Sequence, residues 1–394
     1  MKSITVLGAT GSIGASTADI MLRHRDLFTA YALVGHRNVA RMRELAETLH
    51  PQWVVMTDEE AAREIKGTLP EGVRLEAGMD AAIAMAEADD VDMVMAAMVG
   101  SVGLPAALAA VKAGKRVGLA NKECLVTAGR LFMCAASEAG ADVVPVDSEH
   151  AAVHQCLTGH DRGSVSRIIL TASGGPFRDR DPATLEAVTP EEAVAHPNWD
   201  MGAKISIDSA TMMNKALELI EARWLFDMPP EKLEAVIHPQ SIVHALVEYR
   251  DGSMLAQLAE PDMRAPVAYA LQTDPRLNSG ITALDLARHG RLDFKAIDDT
   301  VFPAVRLAQT VMRCHDSVAV AFNAANEVAN QAFRQGHIPF TAILKVVEHA
   351  VSGIEDVSVD SLDQVWSCDH EARQFAATLI DSRKYLEPLT VSSA

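Results

Sequence analysis

The chain has 394 residues, enough for two or three domains of ordinary size with buried cores. Its formal net charge is −18, which argues against nucleic-acid or anionic-membrane binding, because both need a dense basic surface. With 49% hydrophobic and 22% charged residues it has the composition of a globular protein and is too apolar to be disordered.

The opening MKSITVLGATGS is too short and too Gly-rich for the apolar core of an export signal. ITVLG (4–8) predicts a buried strand and SIGASTADIMLRH a helix. Between them runs the turn Gly8-Ala-Thr-Gly11-Ser-Ile-Gly14. A glycine turn between strand and helix lets a pyrophosphate approach the backbone and the free N–H groups of the helix start. Thr10 and Ser12 add hydroxyl donors; a tight β–α connection is the alternative. FTAYALVG (28–35) predicts a second strand and VARMRELAETL (39–49) a second helix. The strand ends in His36-Arg37-Asn38, without the acid that holds ribose hydroxyls in NAD sites. Arg37 would pair with a 2′-phosphate, so NADPH is expected rather than NADH, the alternative being a solvated surface arginine.

WVVM, VDMVMAA, RVGLA and DVVPV (142–146) continue the alternation, which implies a parallel sheet covered on both faces. Residues 93–111 carry no charge and are long enough to span a membrane, but Gly100, Gly103 and Pro105 interrupt them. A strand, a turn and a packed helix are expected there. Asn121-Lys122-Glu123 follows RVGLA directly, where open α/β sheets line their ligand crevice. A helix start capped by Asn121 is the alternative. Asp147-Ser148-Glu149-His150 follows the last strand. In extended backbone Asp147 and Glu149 point to one side and suit a hard cation such as Mg²⁺, unless they only cap the next helix.

After residue 147 the pattern changes to α+β with a mixed sheet. VSRIILTAS (165–173) is a strand, and 242–260 holds a hairpin around Asp251-Gly252. Helical runs lie at 209–223 and 263–272. In TASGGPF (171–177), Ser173 and the glycine N–H groups could cradle an anion, or form an ordinary Gly-Pro turn. The loop HPNWDMG (196–202) carries Trp199, which suits a lid that closes over a ligand or a ring fixed in the core. Asn214, Lys215 and Glu218 fall on one helix face. Asn and Lys suit a phosphate or polyhydroxyl, and Glu218 a third metal ligand; a surface Lys–Glu pair is the alternative. Residues 273–300 are rich in Pro, Gly, Asn and Asp, and the chain from 301 onward is helical. Five scattered cysteines without a Cys-x-x-Cys pair predict neither disulfides nor a zinc knuckle, and fit a reducing cytosol. The expected architecture is α/β. It comprises an N-terminal Rossmann-like parallel-sheet domain (1–147), a central α+β domain (148–272), a linker (273–300) and a C-terminal helical bundle (301–394).

GATGSIG, LANKE, PVDSEH, TASGGPF, HPNWDMG and KISIDSATMMNKALELIEA, in this order and with NAANEVA (323–329), closely resemble the 1-deoxy-D-xylulose 5-phosphate reductoisomerase family over essentially the whole chain. The resemblance implies an NADPH- and divalent-metal-dependent, cytoplasmic, homodimeric enzyme without nucleic-acid or membrane partners. Its reaction would turn 1-deoxy-D-xylulose 5-phosphate into 2-C-methyl-D-erythritol 4-phosphate, in non-mevalonate isoprenoid biosynthesis. By position it implies Asp147, Glu149 and Glu218 as ligands of Mg²⁺ or Mn²⁺, with Co²⁺ a further candidate. Ser173, Ser209, Asn214 and Lys215 would hold the substrate phosphate, with His196 closing over that end. Lys122, Ser148 and Glu149 would meet the hydroxyketone, and Trp199 and Met201 would belong to a mobile lid at about 193–203, which makes 148–272 the catalytic domain. Thr10, Gly11, Ser12, Ile13, Arg37, Asn38, Asn121, Glu123 and Gly202 would contact NADPH.

The chain departs from the family pattern at His36, at Arg37, where Lys is frequent, at Ala203, where Lys or Arg is usual, and at Ala216, where Gly is usual. Two other classes share part of the signal. A semialdehyde-type NADP-dependent dehydrogenase would use Cys124 or Cys156 as nucleophile. A non-catalytic NADP-sensing regulator would need the cofactor site without the carboxylate–Asn–Lys cluster.

Overall fold

The computed structural model describes residues 1–199 and 202–387, so Met201 of the expected lid lies outside the described residues. The chain divides into two compact units. The first comprises Met1–Cys124, Phe132–Thr158 and Asp262–Leu284; the second comprises Leu125–Leu131, Gly159–Pro261 and the chain from Asp285.

The first unit is built on seven parallel strands: β1 (Lys2–Leu7), β2 (Phe28–Gly35), β3 (Trp53–Met56), β4 (Arg74–Ala77), β5 (Met93–Ala96), β6 (Arg116–Leu119) and β7 (Asp142–Pro145). Their order is β4-β3-β2-β1-β5-β6-β7, so the direction of winding reverses between β1 and β5. That reversal opens a crevice beyond the carboxyl ends of the strands, where such sheets bind ligands. Ile4, Val6, Leu33, Val54, Met93, Met95 and Val144 are buried in one core, which explains the apolar runs that announce these strands. β4 lies outside the sequence expectation, because its four residues RLEA are too short a run and too exposed at the sheet edge to stand out, with only Leu75 packed against the core. The helix Arg264–Leu271, far along the chain, joins this core through Val267, Ala268 and Leu271, and its Ala270 carbonyl accepts from Arg116 Nε at 2.9 Å. Gly8 has φ +82°, and a Cβ there would strike the Ala97 carbonyl; a Cβ at Gly14 would strike the Ala9 carbonyl. The close approach of strand, turn and helix therefore requires both glycines.

The second unit holds a mixed sheet of β8 (Val165–Ala172), β9 (Leu233–Ile237), β10 (Val243–Tyr249) and β11 (Met254–Leu258), in the order β11-β10-β8-β9. β8 and β9 are parallel and the other pairs antiparallel. The β10–β11 hairpin turns at Asp251-Gly252 as expected, with Asp251 Oδ1 accepting from Ser253 N at 2.9 Å. The expected helix from residue 209 is instead two helices, Ala203–Ala210 and Met213–Phe226. The break falls at Met212, whose φ is +63°. Thr211 Oγ1 turns back to the Ile207 carbonyl at 3.1 Å.

Helices Ala304–Val311, Asp316–Arg334, Ala342–Gly353 and Leu362–Ser382 follow. Asn326 and Asn330, one turn apart on the second of these, both donate to Asp208 Oδ1, at 3.0 and 2.9 Å. Lys204 Nζ pairs with Asp208 Oδ2 at 3.0 Å. This buried knot ties Ala203–Ala210 to Asp316–Arg334 and gives the NAANEVA stretch a structural role. No helix among the described residues is long and apolar enough to cross a membrane.

Removing a carboxylate that serves several buried donors costs about 3–5 kcal/mol. The substitution Asp208→Ala should therefore lower the urea unfolding midpoint by the equivalent of about 3–5 kcal/mol, with the slope of the transition unchanged.

Candidate functional site

The polar groups of the first unit gather where its strands end. Gly11 is the N-cap of the Ser12–Arg23 helix, in extended conformation and without a side-chain cap. A Cβ on Gly11 would meet the Gly8 carbonyl oxygen only at 3.4 Å, an ordinary contact. Packing thus requires Gly8 and Gly14, whereas Gly11 leaves open backbone flanked by Thr10 and Ser12, which fits an approaching pyrophosphate. Ile13 packs inward against the core.

Arg37 is 75% exposed at its side chain, and its Nε donates to Asp58 Oδ2 at 2.7 Å. Asp58 also caps the Glu59–Ile65 helix by accepting from Glu60 N and Ala61 N. The Arg37 bond first, and then these N–H groups, hold its carboxyl below the usual carboxylate range. An acid therefore does stand beside Arg37, supplied from beyond β3, though its charge is already engaged. Sequence reading missed it; an Asp directly before Glu-Glu and an apolar run is an N-cap signal that could have found it. Asn38 caps the Val39–Leu49 helix through Arg41 N at 3.1 Å, and His36 Nδ1 lies 3.0 Å from Thr57 Oγ1.

Asn121 is buried, and its Nδ2 donates to the carbonyls of Met98 and Gly100, the latter at 2.9 Å. Its Oδ1 accepts from Cys124 N at 3.3 Å, although the N-cap position of the following helix falls on Lys122. The Lys122 ammonium pairs with the Asp147 carboxylate. Asp147 caps the Ser148–Leu157 helix, and Ser148 Oγ donates to Glu149. The ends of β6 and β7 thus bring Lys122, Asp147, Ser148 and Glu149 into one chain of contacts, with Glu123 buried beside Lys122 in sequence.

In the second unit, His196 Nδ1 accepts from Asn198 N at 3.2 Å and Trp199 N at 2.9 Å. The hydrogen-bond pattern assigns the proton to Nε2, which donates to Ser173 Oγ at 2.8 Å. Burial, aided by the nearby Arg178 charge, lowers the His196 pKa to about 4, so the ring is neutral. Gly175 N donates to the same Ser173 oxygen at 3.2 Å. With both lone pairs occupied, the Ser173 hydroxyl proton points to a further acceptor.

Asn198, which sequence reading did not single out, anchors the loop through Pro239 O at 2.7 Å and Ser241 Oγ at 2.9 Å. Trp199 is half-buried, with its ring 6.3 Å from that of His244. The loop at Gly175 packs on the helix end that carries Ser209: a Cβ would sit 2.7 Å from the Ser209 carbonyl oxygen. Gly202 is the exposed N-cap of that helix, and Ala203 is its first residue.

Asn214 Nδ2 and Lys215 Nζ both donate to the Glu218 carboxylate. The Lys215 and Glu218 side chains are only 4% and 1% exposed, which removes the surface-pair alternative. Ala216 is fully buried between them in sequence. The cysteine alternative also weakens: Cys124 is buried, and burial pushes the Cys156 thiol up to about 11, away from the thiolate a nucleophile needs.

Known proteins match the chain along its length. A family model described as 1-deoxy-D-xylulose 5-phosphate reductoisomerase matches residues 4–129; models of that enzyme's C-terminal domains match 143–226 and 258–375. A curated 1-deoxy-D-xylulose 5-phosphate reductoisomerase of Cupriavidus pinatubonensis is 49% identical over 399 residues, covering 100% of each chain. That of Pseudomonas aeruginosa is 50% identical over 383 residues, covering 95% of this chain and 97% of the relative. A crystal structure of DOX-P reductoisomerase in complex with NADPH, fosmidomycin and magnesium matches with TM-score 0.92 and 40% identity, covering 98% of this chain and 99% of that one. The Zymomonas mobilis 1-deoxy-D-xylulose 5-phosphate reductoisomerase in complex with NADPH matches with TM-score 0.91 and 45% identity, over 97% and 99%.

The neutral histidine has a measurable signature. An NMR titration of the His196 ring should reach its midpoint near pH 4 instead of 6.5. Between these values the unfolded chain binds a proton that the folded one does not, so stability should fall as pH is lowered from 6.5 to 4, more than in His196→Gln.

Proposed function

We infer the reaction from kinship and local geometry together: the chain belongs to the 1-deoxy-D-xylulose 5-phosphate reductoisomerase family. It catalyses the NADPH- and divalent-metal-dependent rearrangement and reduction of 1-deoxy-D-xylulose 5-phosphate to 2-C-methyl-D-erythritol 4-phosphate, a step of non-mevalonate isoprenoid biosynthesis. The observation that carries this reading is the buried Asn214–Lys215–Glu218 cluster, whose charges have a use only if ligands reach them.

Thr10, Gly11, Ser12 and Ile13 receive the NADPH pyrophosphate at the uncapped helix start. Arg37 and Asn38 meet the 2′-phosphate, and Asn121, Glu123 and Gly202 complete the cofactor contacts. Asp147, Glu149 and Glu218 are assigned to Mg²⁺ or Mn²⁺, with Co²⁺ a further candidate. Their hard oxygen donors fit such cations. When bound, the cation polarises the substrate ketone and NADPH supplies the hydride.

The remaining work belongs to side chains. Ser173, Ser209, Asn214 and Lys215 hold the phosphate. His196 donates its Nε2–H at that end without bringing a titratable charge. Lys122, Ser148 and Glu149 orient the hydroxyketone oxygens. Trp199, together with Met201, closes the lid and excludes water. Retro-aldol cleavage with re-addition and an α-ketol shift make the same demands on these residues.

By role, 1–147 serves the cofactor, 148–272 the substrate and metal, with the lid at about 193–203. Residues 273–300 connect, and 301–394 support. A homodimer is supported by β11, an edge strand whose Met254 and Leu255 are 43% and 38% exposed. Five free cysteines support a cytoplasmic setting.

The test is NADPH oxidation in the presence of 1-deoxy-D-xylulose 5-phosphate and Mg²⁺, with an EDTA control. Metal-dependent turnover is expected; absence of oxidation with metal present would overturn the reading, and turnover of any kind would exclude a purely sensory protein. Asp147→Asn should lower turnover at limiting Mg²⁺ by more than about 100-fold and recover in part at high Mg²⁺. Arg37→Ala should raise KM for NADPH by about tenfold and leave KM for NADH unchanged.

A further inference from the structure

The carbonyl groups of the 173–175 loop create an electrostatic problem. A loop that receives an anion must turn its N–H groups toward it and its carbonyl oxygens away, since the carbonyls carry the negative ends of the peptide dipoles. Both loop glycines have left-handed backbone, Gly174 at φ +80° and Gly175 at φ +67°. Arg178 Nη1 donates to the carbonyls of Ser173 at 3.2 Å and Gly175 at 3.3 Å. A trans peptide sets its C=O and N–H antiparallel, so drawing the Ser173 carbonyl to the guanidinium turns the Gly174 N–H to the opposite side. Pro176 has no N–H, so turning back the Gly175 carbonyl sacrifices no donor. Gly174 also makes room for the arginine: a Cβ there would lie 2.9 Å from Arg178 Cβ and 3.0 Å from Cδ.

We propose that Arg178 is a positioning residue of the substrate-phosphate subsite, tying back two loop carbonyls so that the Ser173 hydroxyl and the Gly174 N–H face the anion with a fixed positive charge behind them. This rests on the assignment of Ser173 to the phosphate. Both carbonyls accept from the single Nη1 nitrogen, whose two N–H bonds the rigid guanidinium plane holds in fixed directions, whereas a lysine ammonium rotates freely on a flexible stem. Its charge also helps keep the neighbouring His196 neutral, as a hydrogen-bond donor rather than a second cation. Asp179 lies 3.4 Å from Arg178 Nε and is largely exposed, so it only partly offsets that charge.

The experiment compares Arg178→Met, Arg178→Lys and Ser173→Ala in the full chain. In Arg178→Met, KM for 1-deoxy-D-xylulose 5-phosphate should rise at least about tenfold, while kcat and KM for NADPH change less than about threefold. Inhibition by inorganic phosphate should weaken in parallel. The His196 midpoint should move up in the methionine variant and stay low in the lysine variant, which keeps the charge. The lysine variant should still show a KM raised several-fold, because the fixed direction of the Nη1 donors is lost; if the methionine variant does not fold, this measurement stands in its place. An unchanged substrate KM in Arg178→Lys and Arg178→Met, alongside a raised KM in Ser173→Ala, overturns the role of Arg178 alone. An unchanged KM in Ser173→Ala overturns the phosphate assignment and the proposal with it.

Discussion

An ammonium and a carboxylate, those of Lys215 and Glu218, are held out of water on one helix turn. Moving such ions from water costs several kcal/mol each, and their mutual attraction seldom does more than repay it. The surrounding helix is built to withstand that cost. Ala216, Leu217, Leu219 and Ile220 are essentially fully buried, and Asn214 adds a second donor to the same carboxylate. The helix also begins at a strained residue: Met212 has left-handed backbone, which costs about 1–3 kcal/mol for a side chain of this kind. An apolar helix of the same volume would be at least as stable. These charges add little stability of their own, and the helix and its apolar neighbours supply what they do not.

The first unit follows the same rule by different means. Its strands are buried on both faces, so their interiors admit few polar groups. Polar side chains collect beyond the strand ends, where backbone leaves the sheet. Lys122 and Asp147 neutralise each other there, and Asn121 uses its amide to hold the loop after β5. Each polar residue thus answers a structural need at the mouth of the crevice. Asp147 shows how one side chain meets two such needs: it caps a helix with Oδ1 and pairs with Lys122 through Oδ2.

Local and strongly patterned features were legible in the sequence. β2, β3 and the Val39–Leu49 helix carry continuous or 3.6-periodic apolar runs, and Gly252 marks the β10–β11 turn by its backbone freedom. The clustering of Asn214, Lys215 and Glu218 followed from helical spacing alone. Features that depend on long-range partners were not legible. Asp58 meets Arg37 only because β2 and β3 pair side by side, and Asp208 finds Asn326 and Asn330 more than a hundred residues away in sequence. β4 is a four-residue exposed edge, too short to announce itself. The break at Met212 has no local signal, because methionine carries no preference for left-handed backbone. Arg264–Leu271 looked like part of the central region because sequence order says nothing about which core a helix joins.

The Asp208 knot gives the last helices a reach beyond their own core. They supply none of the side chains proposed for substrate, yet Asn326 and Asn330 grip the residue directly before Ser209. The position of Ser209 is thus set from more than a hundred residues away, as a beam end is set by its clamp. A change in the packing of the Asp316–Arg334 helix would be felt at Ser209 without any residue there being altered.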